Sequence, residues 1–265
     1  MNLAFYKYQG TGNDFIIVDN LRGKLSLDCD EIAFLCNRHF GIGADGLMII
    51  EQMAGYDYYL KYYNSDGNES SMCGNGGRCS AAFAYRVGII SENTRFFAAD
   101  GPHEAEILSS GPGGCEVRLK MKDTRVGKEF SDGYFIDTGS PHFVKFVDSP
   151  ETLNVTEEGR MLRFDQRFAP GGTNVNFVEK DNGRIKVRTY ERGVENETLS
   201  CGTGVTASAL VLASLPPRDN KPVTIHTKGG SLTVYFSRQG DDFINVYLEG
   251  PASFVFTGEI SLDRG

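Results

Sequence analysis

Apolar and polar residues alternate in short runs along most of the chain, and these runs predict strands. They include Phe15–Val18, Leu47–Ile50, Tyr58–Tyr63, Cys115–Met121 and His142–Val147. Later runs are Ile185–Arg188, Val223–His226, Ser231–Phe236 and Ile244–Leu248. Alternation of this kind suits antiparallel sheet with one wet face. Few stretches keep a helical period. Asp30 is expected to cap a helix that carries Ile32, Leu35 and Cys36 on one face and stops near Gly41. Gly77–Val87 reads as a second helix closed by Gly88, and Thr203–Leu215 as a third, stopped by Pro216 and Pro217. A fourth, Thr156–Arg163, carries Gly159 inside it. The pattern predicts an α+β fold with mostly antiparallel strands.

Two of these helices follow similar sequences. Tyr63–Gly76 (YNSDGNESSMCGNG) and Tyr190–Gly204 (YERGVENETLSCGTG) both lead into Ala-rich segments. Glu69 and Glu197 each stand four residues before their cysteine, and Cys73 and Cys201 are 128 residues apart. Asp14–Ile17 parallels His142–Lys145 at the same offset, and Gly43–Ile49 parallels Gly172–Val178 at 129. Three segments in register predict an internal duplication and two pseudo-symmetric domains. The boundary is expected near Lys122–Lys128. The halves are then 1–125, carrying Cys73, and 126–252, carrying Cys201, with a C-terminal strand at 253–265 returning to the first half.

Composition narrows the class. Glycine supplies 32 of 265 residues, well above the roughly 7% of an average chain. The net charge is −8 and no Lys/Arg stripe occurs, which argues against nucleic acid and anionic membrane as partners. The N-terminus has no signal-peptide pattern, and the longest nearly apolar run, Ala207–Leu215, is too short to span a bilayer. The expected location is the cytoplasm, with all six cysteines as thiols. No C-x-x-C pair occurs and no histidine stands at zinc spacing from a cysteine, so no metal site is expected.

The chemistry is expected at Cys73 and Cys201, because a duplicated unit forms its site between the copies. A helix start favours anions, which lowers a thiol's pKa and lets the N–H groups of Gly74, Asn75, Gly202 and Thr203 cradle a carboxylate. A thiol and a thiolate flanking one α-carbon could remove a proton from one face and deliver one to the other. The fixed N–H dipoles would stabilise the developing carbanion. This points to racemisation or epimerisation at an amino-acid α-carbon. The plain alternative, two packing cysteines, fits Cys29, Cys36, Cys79 and Cys115 better. Gly41–Gly46 matches G-x-G-x-x-G, but the expected order of elements around it is the reverse of a dinucleotide site. His142 could orient or tune a thiol or be a solvated loop histidine. Glu191 and Arg192 follow a strand beside the Cys201 segment, where ligand contact is favoured over an exposed ion pair.

Met72–Cys79 (MCGNGGRC), Tyr190–Gly193 (YERG) and Ser200–Gly204 (SCGTG) closely resemble segments of diaminopimelate epimerases. Gly12–Phe15, Gly41–Gly46, Asn64–Gly67 and Gly229–Ser231 look like that family's as well. The resemblance implies two similar domains, each a curved sheet around a central helix, with the active site between them. It also implies a cofactor-independent homodimer that interconverts LL- and meso-diaminopimelate on the route to lysine and peptidoglycan. By resemblance, Cys73 and Cys201 are the acid/base pair, tuned by His142 and Glu191. Asn13, Asn64, Gly74, Asn75, Asn174, Glu191, Arg192, Gly202 and Thr203 match substrate-binding positions. Two departures bear on substrate choice: Ser140 stands where the family usually has Asn, and Gly46 where some members have Gln. The competing readings are a histidine- or proline-type racemase, a phenazine-pathway isomerase, a non-catalytic amino-acid binding protein, and a dithiol cycling through a Cys73–Cys201 disulfide.

Overall fold

The computed structural model of the protein describes residues 1–181, 184–218 and 220–262, and these hold four α-helices and 17 strands. Residues 263–265, the end of the expected C-terminal strand, lie outside the described residues. The chain divides into two compact units, one of Met1–Leu119 with Pro251–Gly265, the other of Lys120–Gly250. Among the described residues no helix is long and apolar enough to cross a membrane.

In the first unit Asn2–Gly10 runs antiparallel to Asn13–Asp19, which is parallel to Gly46–Glu51. Tyr58–Asn64 is antiparallel to Gly46–Glu51 and to Glu69–Ser70, and parallel to Asn93–Ala98. Gly101–Gly111 and Gly114–Lys120 continue the order antiparallel. The last strand, Asp242–Ser261, pairs its final residues with Asn2–Gln9. Helix α1 (Cys29–Cys36) joins the parallel strands and buries Ile32 and Leu35 against Phe5, Ile16, Leu47 and Ile49. Helix α2 (Gly74–Arg86) is buried continuously from Gly74 to Ala84.

The second unit has its own sheet. Gly133–Asp137 is antiparallel to Thr124–Phe130 and to Pro141–Phe146, which is parallel to Asn174–Asp181. Arg184–Glu191 is antiparallel to Asn174–Asp181 and to Asn196–Thr198, and parallel at Lys186 to Val223–Thr227. Gly230–Gln239 and Asp242–Ser261 complete it antiparallel. Helix α3 (Val155–Arg163) packs over a cluster of Phe143, Phe168, Val175, Phe177 and Tyr190. Helix α4 (Gly202–Ser214) is buried along nearly its whole length.

The structure corrects the expected cap of α1. Asp28, not Asp30, accepts from the Glu31 backbone N–H at 2.9 Å, and the Glu31 side chain returns a bond to the Asp28 N–H. That reciprocal pair satisfies two orphan donors at once, and it places Asp30 in the first turn, where a negative charge suits the dipole. The helix also stops at Cys36, with Asn37 as its C-cap, short of Gly41. Helix α2 starts at Gly74, earlier than the expected Gly77, because Cys73 is its N-cap.

Candidate active site

Cys73 precedes α2 with extended backbone, and its Sγ accepts the Gly76 N–H at 3.2 Å. A sulfur thereby takes the capping place usually held by an oxygen. A Cβ on Gly76 would stand 3.2 Å from that sulfur. Gly74 and Asn75 supply the first two N–H groups of the helix, which point to its positive end.

Asn13 lies beside this thiol, its Oδ1 3.9 Å from Cys73 Sγ and accepting from Asn75 Nδ2 at 3.4 Å. Its amide is oriented from behind, since Nδ2 donates to Asp45 Oδ2 at 2.7 Å. Arg38 donates to Asp45 at 2.8 Å and grips Asp14 through both nitrogens at 3.0 and 2.6 Å. Lys7 pairs with Asp14 at 2.8 Å. Burial pushes the Asp14 carboxyl up, but the bonds from Arg38 and Lys7 outweigh it and hold the pKa at about 2. Asn75 is held as well: Oδ1 accepts from Arg78 at 2.9 Å and from Thr11 at 3.4 Å. Asn64 is exposed at the end of Tyr58–Asn64, opposite Gly46 in the sheet, and its backbone N–H donates to the Asn68 carbonyl at 2.9 Å.

Cys201 is the N-cap residue of α4, and only 6% of its surface is exposed. Its Sγ stands 3.4 Å from Thr203 Oγ1, which is 2.9 Å from His142 Nε2. Gly202 and Thr203 supply the first N–H groups of this helix, and Thr138 Oγ1 donates to the Thr203 carbonyl at 3.0 Å. His142 is fully buried. Desolvation pulls its pKa down to about 3 against the attraction of Asp137, with Arg192 adding to the fall. The ring is therefore neutral at ordinary pH, and the solvated-loop reading of His142 does not hold. The Thr203 hydroxyl stands between this neutral ring and the Cys201 sulfur.

Asn174 has its amide fully engaged. Nδ2 donates to Ser140 Oγ at 2.7 Å and to the Pro141 carbonyl at 2.9 Å, while Oδ1 accepts the Arg192 N–H at 2.8 Å. It places Ser140 and the Arg192 backbone. The Arg192 side chain is exposed, with Nη1 3.5 Å from the Gly171 carbonyl, and Glu191 is half-buried at the end of Arg184–Glu191. At Gly46 a Cβ would stand 2.6 Å from the Tyr62 ring, so the aromatic side chain fills the space a longer residue would need.

A sequence model of the family described as "Diaminopimelate epimerase" matches residues 5–121 and 134–255. The chain belongs to the diaminopimelate epimerase family. It is 44% identical to the diaminopimelate epimerase of Flavobacterium psychrophilum over 256 residues, covering 96% of this chain and 98% of that one. It is 40% identical to that of Aquifex aeolicus, covering 98% of each. Among solved structures, a Bacillus anthracis phenazine biosynthesis protein of the PhzF family matches with a TM-score of 0.75 at 15% identity, over 99% of this chain and 100% of that one. An Agrobacterium vitis hydroxyproline epimerase matches at 0.72 and 16%, over 99% and 93%. At such identities these structures establish the shared fold. Nothing in the sequence signalled the parts played by Asp45, Arg38, Arg78 and Asn176 in this member of the family. Arg78 and Asp45 lie inside the quoted motifs, but only the folded side chains reveal what they hold: Arg78 bonds back to Gly74 and Asn75, and Asp45 reaches Asn13.

Proposed function

We propose that the protein interconverts LL- and meso-diaminopimelate by proton transfer between two thiols, in lysine and peptidoglycan precursor synthesis. The observation that carries the reading is that Cys73 and Cys201 each stand at the N-cap position of a 13-residue, largely buried helix. One thiolate takes the α-proton and becomes a thiol. The electron pair left on the α-carbon spreads into the carboxylate, where the N–H groups of Gly74, Asn75, Gly202 and Thr203 stabilise it. The other thiol then gives its proton to the opposite face, and the roles exchange in the reverse direction. Asn13 positions Cys73, and neutral His142 acts on Cys201 through Thr203. Glu191 and Arg192, with Asn64 and Asn174, serve the distal amino-carboxylate end, where a guanidinium fork grips a carboxylate in two places.

The same sequence of antiparallel and parallel pairings within each unit supports an internal duplication, with a first half carrying Cys73 and a second carrying Cys201. The scheme calls on no cofactor, and the family resemblance supports a cytoplasmic homodimer.

Coupled turnover of LL-diaminopimelate in deuterated water tests the mechanism, with histidine and proline as control substrates. The meso product should carry label at the inverted carbon while recovered substrate carries little early on. Cys73→Ala and Cys201→Ala should each abolish epimerisation. Near-normal turnover by either variant would remove the paired-thiol scheme, and preferred turnover of proline or histidine would remove the substrate.

A further inference from the structure

Asn176 lies next to His142 in the second unit, is fully buried, and belongs to no motif that the resemblance uses. Its Nδ2 is 3.0 Å from His142 Nδ1 and 3.4 Å from the Phe143 carbonyl. Its Oδ1 accepts the Thr189 hydroxyl at 3.0 Å. The Phe143 carbonyl can only accept, so the NH2 end of the amide faces it, and the same NH2 end faces the ring. His142 Nδ1 is then an acceptor and the single proton of the neutral ring sits on Nε2. That proton points to Thr203 Oγ1, 2.9 Å away. Thr203 accepts from His142, and the neighbour left for its own proton is Cys201 Sγ at 3.4 Å. Gly204 makes room for the arrangement, since a Cβ there would stand 2.3 Å from Asn176 Oδ1.

We propose that Asn176 is a positioning residue for Cys201: it fixes the proton of His142 on Nε2, and this turns the Thr203 hydroxyl to donate to the Cys201 sulfur. The chain Thr189, Asn176, His142, Thr203, Cys201 then runs donor to acceptor throughout and ends on the reacting atom. A donor to sulfur favours the thiolate over the thiol. The charged groups that act on His142 are Asp137 and Arg192. Asp137 Oδ1 is itself engaged by the Gly139 N–H at 2.8 Å and by Lys122 at 3.2 Å.

The proposal rests on the reading of Cys201 as an acid/base residue, but its test needs no diaminopimelate. Nitrogen-15 NMR of the histidines in the wild-type protein should find His142 with Nε2 protonated and Nδ1 bare from pH 6 to 9 (~3 units of pH, all above the folded pKa). A proton on Nδ1 would overturn the proposal without any variant. In Asn176→Asp a carboxylate replaces the donor, so the proton should move to Nδ1 and Thr203 should turn its hydroxyl toward the ring. Alkylation of Cys201 by iodoacetamide at fixed pH should then slow roughly fivefold, the worth of one net hydrogen bond. Its pH profile should move up, while alkylation of Cys73 stays unchanged. Thr203→Val should slow Cys201 equally, and the double variant should add nothing further. A Cys201 rate that holds or rises in either single variant overturns the proposal. If instead both chemical readouts come out as expected and LL-diaminopimelate is not turned over, the functional reading fails and the role of Asn176 stands.

Discussion

Arg78 shows how much a single side chain can hold at a helix start. It is wholly buried, with Nη1 donating to the Gly74 carbonyl at 3.1 Å, Nη2 to Asn75 Oδ1 at 2.9 Å and Nε to the Pro251 carbonyl at 3.5 Å. All three acceptors are neutral oxygens. Burial alone lowers the pKa of this guanidinium, and the nearby Cys79 and Cys73 oppose that. Arg78→Met would relieve the cost of a buried charge but take one donor from each of those oxygens and leave Asn75 Oδ1 with the Thr11 hydroxyl at 3.4 Å, freer to turn. Bonds to a charged group are worth roughly 1.5–3 kcal/mol each, so we expect a net loss of about 2–3 kcal/mol in urea unfolding. Cys73 alkylation should change with it, because Asn75 also holds Asn13. An unchanged urea midpoint would mean the oxygens find other partners. The motif MCGNGGRC displayed this arginine in plain sight, but a sequence does not say that a long cationic side chain folds back beneath its own helix.

At the level of elements, caps and close approaches decide the boundaries. Asp28 and Asp30 are both plausible caps by residue type, and only the reciprocal bonds with Glu31 choose between them. Asp28→Ala should therefore cost about 1 kcal/mol and Asp30→Ala only a few tenths, measured as shifts in thermal unfolding. The reverse order would restore the sequence-based expectation. Helix α3 holds Gly159 for a reason no propensity scale contains: a Cβ there would stand 2.4 Å from the Tyr190 Cβ. Gly159→Ala gains up to about 1 kcal/mol in helix propensity, but overpacking costs roughly 1–3 kcal/mol, so a net loss of stability is expected. The helices were legible for different reasons: α1 shows an apolar face, while α2 and α4 are Ala-rich segments closed by Gly88 and by Pro216 and Pro217. The strands Asn2–Gly10, Gly133–Asp137 and Asn174–Asp181 were not singled out. In Asn2–Gly10 a core-facing position is Lys7, neutralised by Asp14, and in Asn174–Asp181 two are Asn174 and Asn176, satisfied by other segments. Polar residues at buried positions erase the alternation that marks a strand.

For the whole molecule, depressed pKa values set the response to acid, and among the described carboxyl and imidazole groups those of His142 and Asp14 fall furthest from their ordinary range. His142 falls from 6.5 to about 3 in the folded protein. Between those values the unfolded chain binds the proton and the native one does not, so stability rises with pH across that window and is lost as pH falls through it. The slope approaches about 1.4 kcal/mol per unit for one such group. Asp14, held at about 2 against 3.8, adds a second loss that begins below its unfolded value. Urea midpoints should therefore drop steadily from pH 6.5 to 4, and the drop should be shallower in His142→Gln; a flat profile would mean that His142 is not held neutral. By itself the sequence determined the α+β class, the helices, the family, and the placing of Cys73 and Cys201 at helix starts, because these depend on local period, turn chemistry and short contiguous motifs. Only the tertiary structure decided which residues hold Asn13, why His142 is neutral, and how it reaches Cys201. Those facts are set by burial and by hydrogen bonds between segments 32 to 61 residues apart in the chain, and the free energy of such contacts has no trace in the order of neighbouring residues.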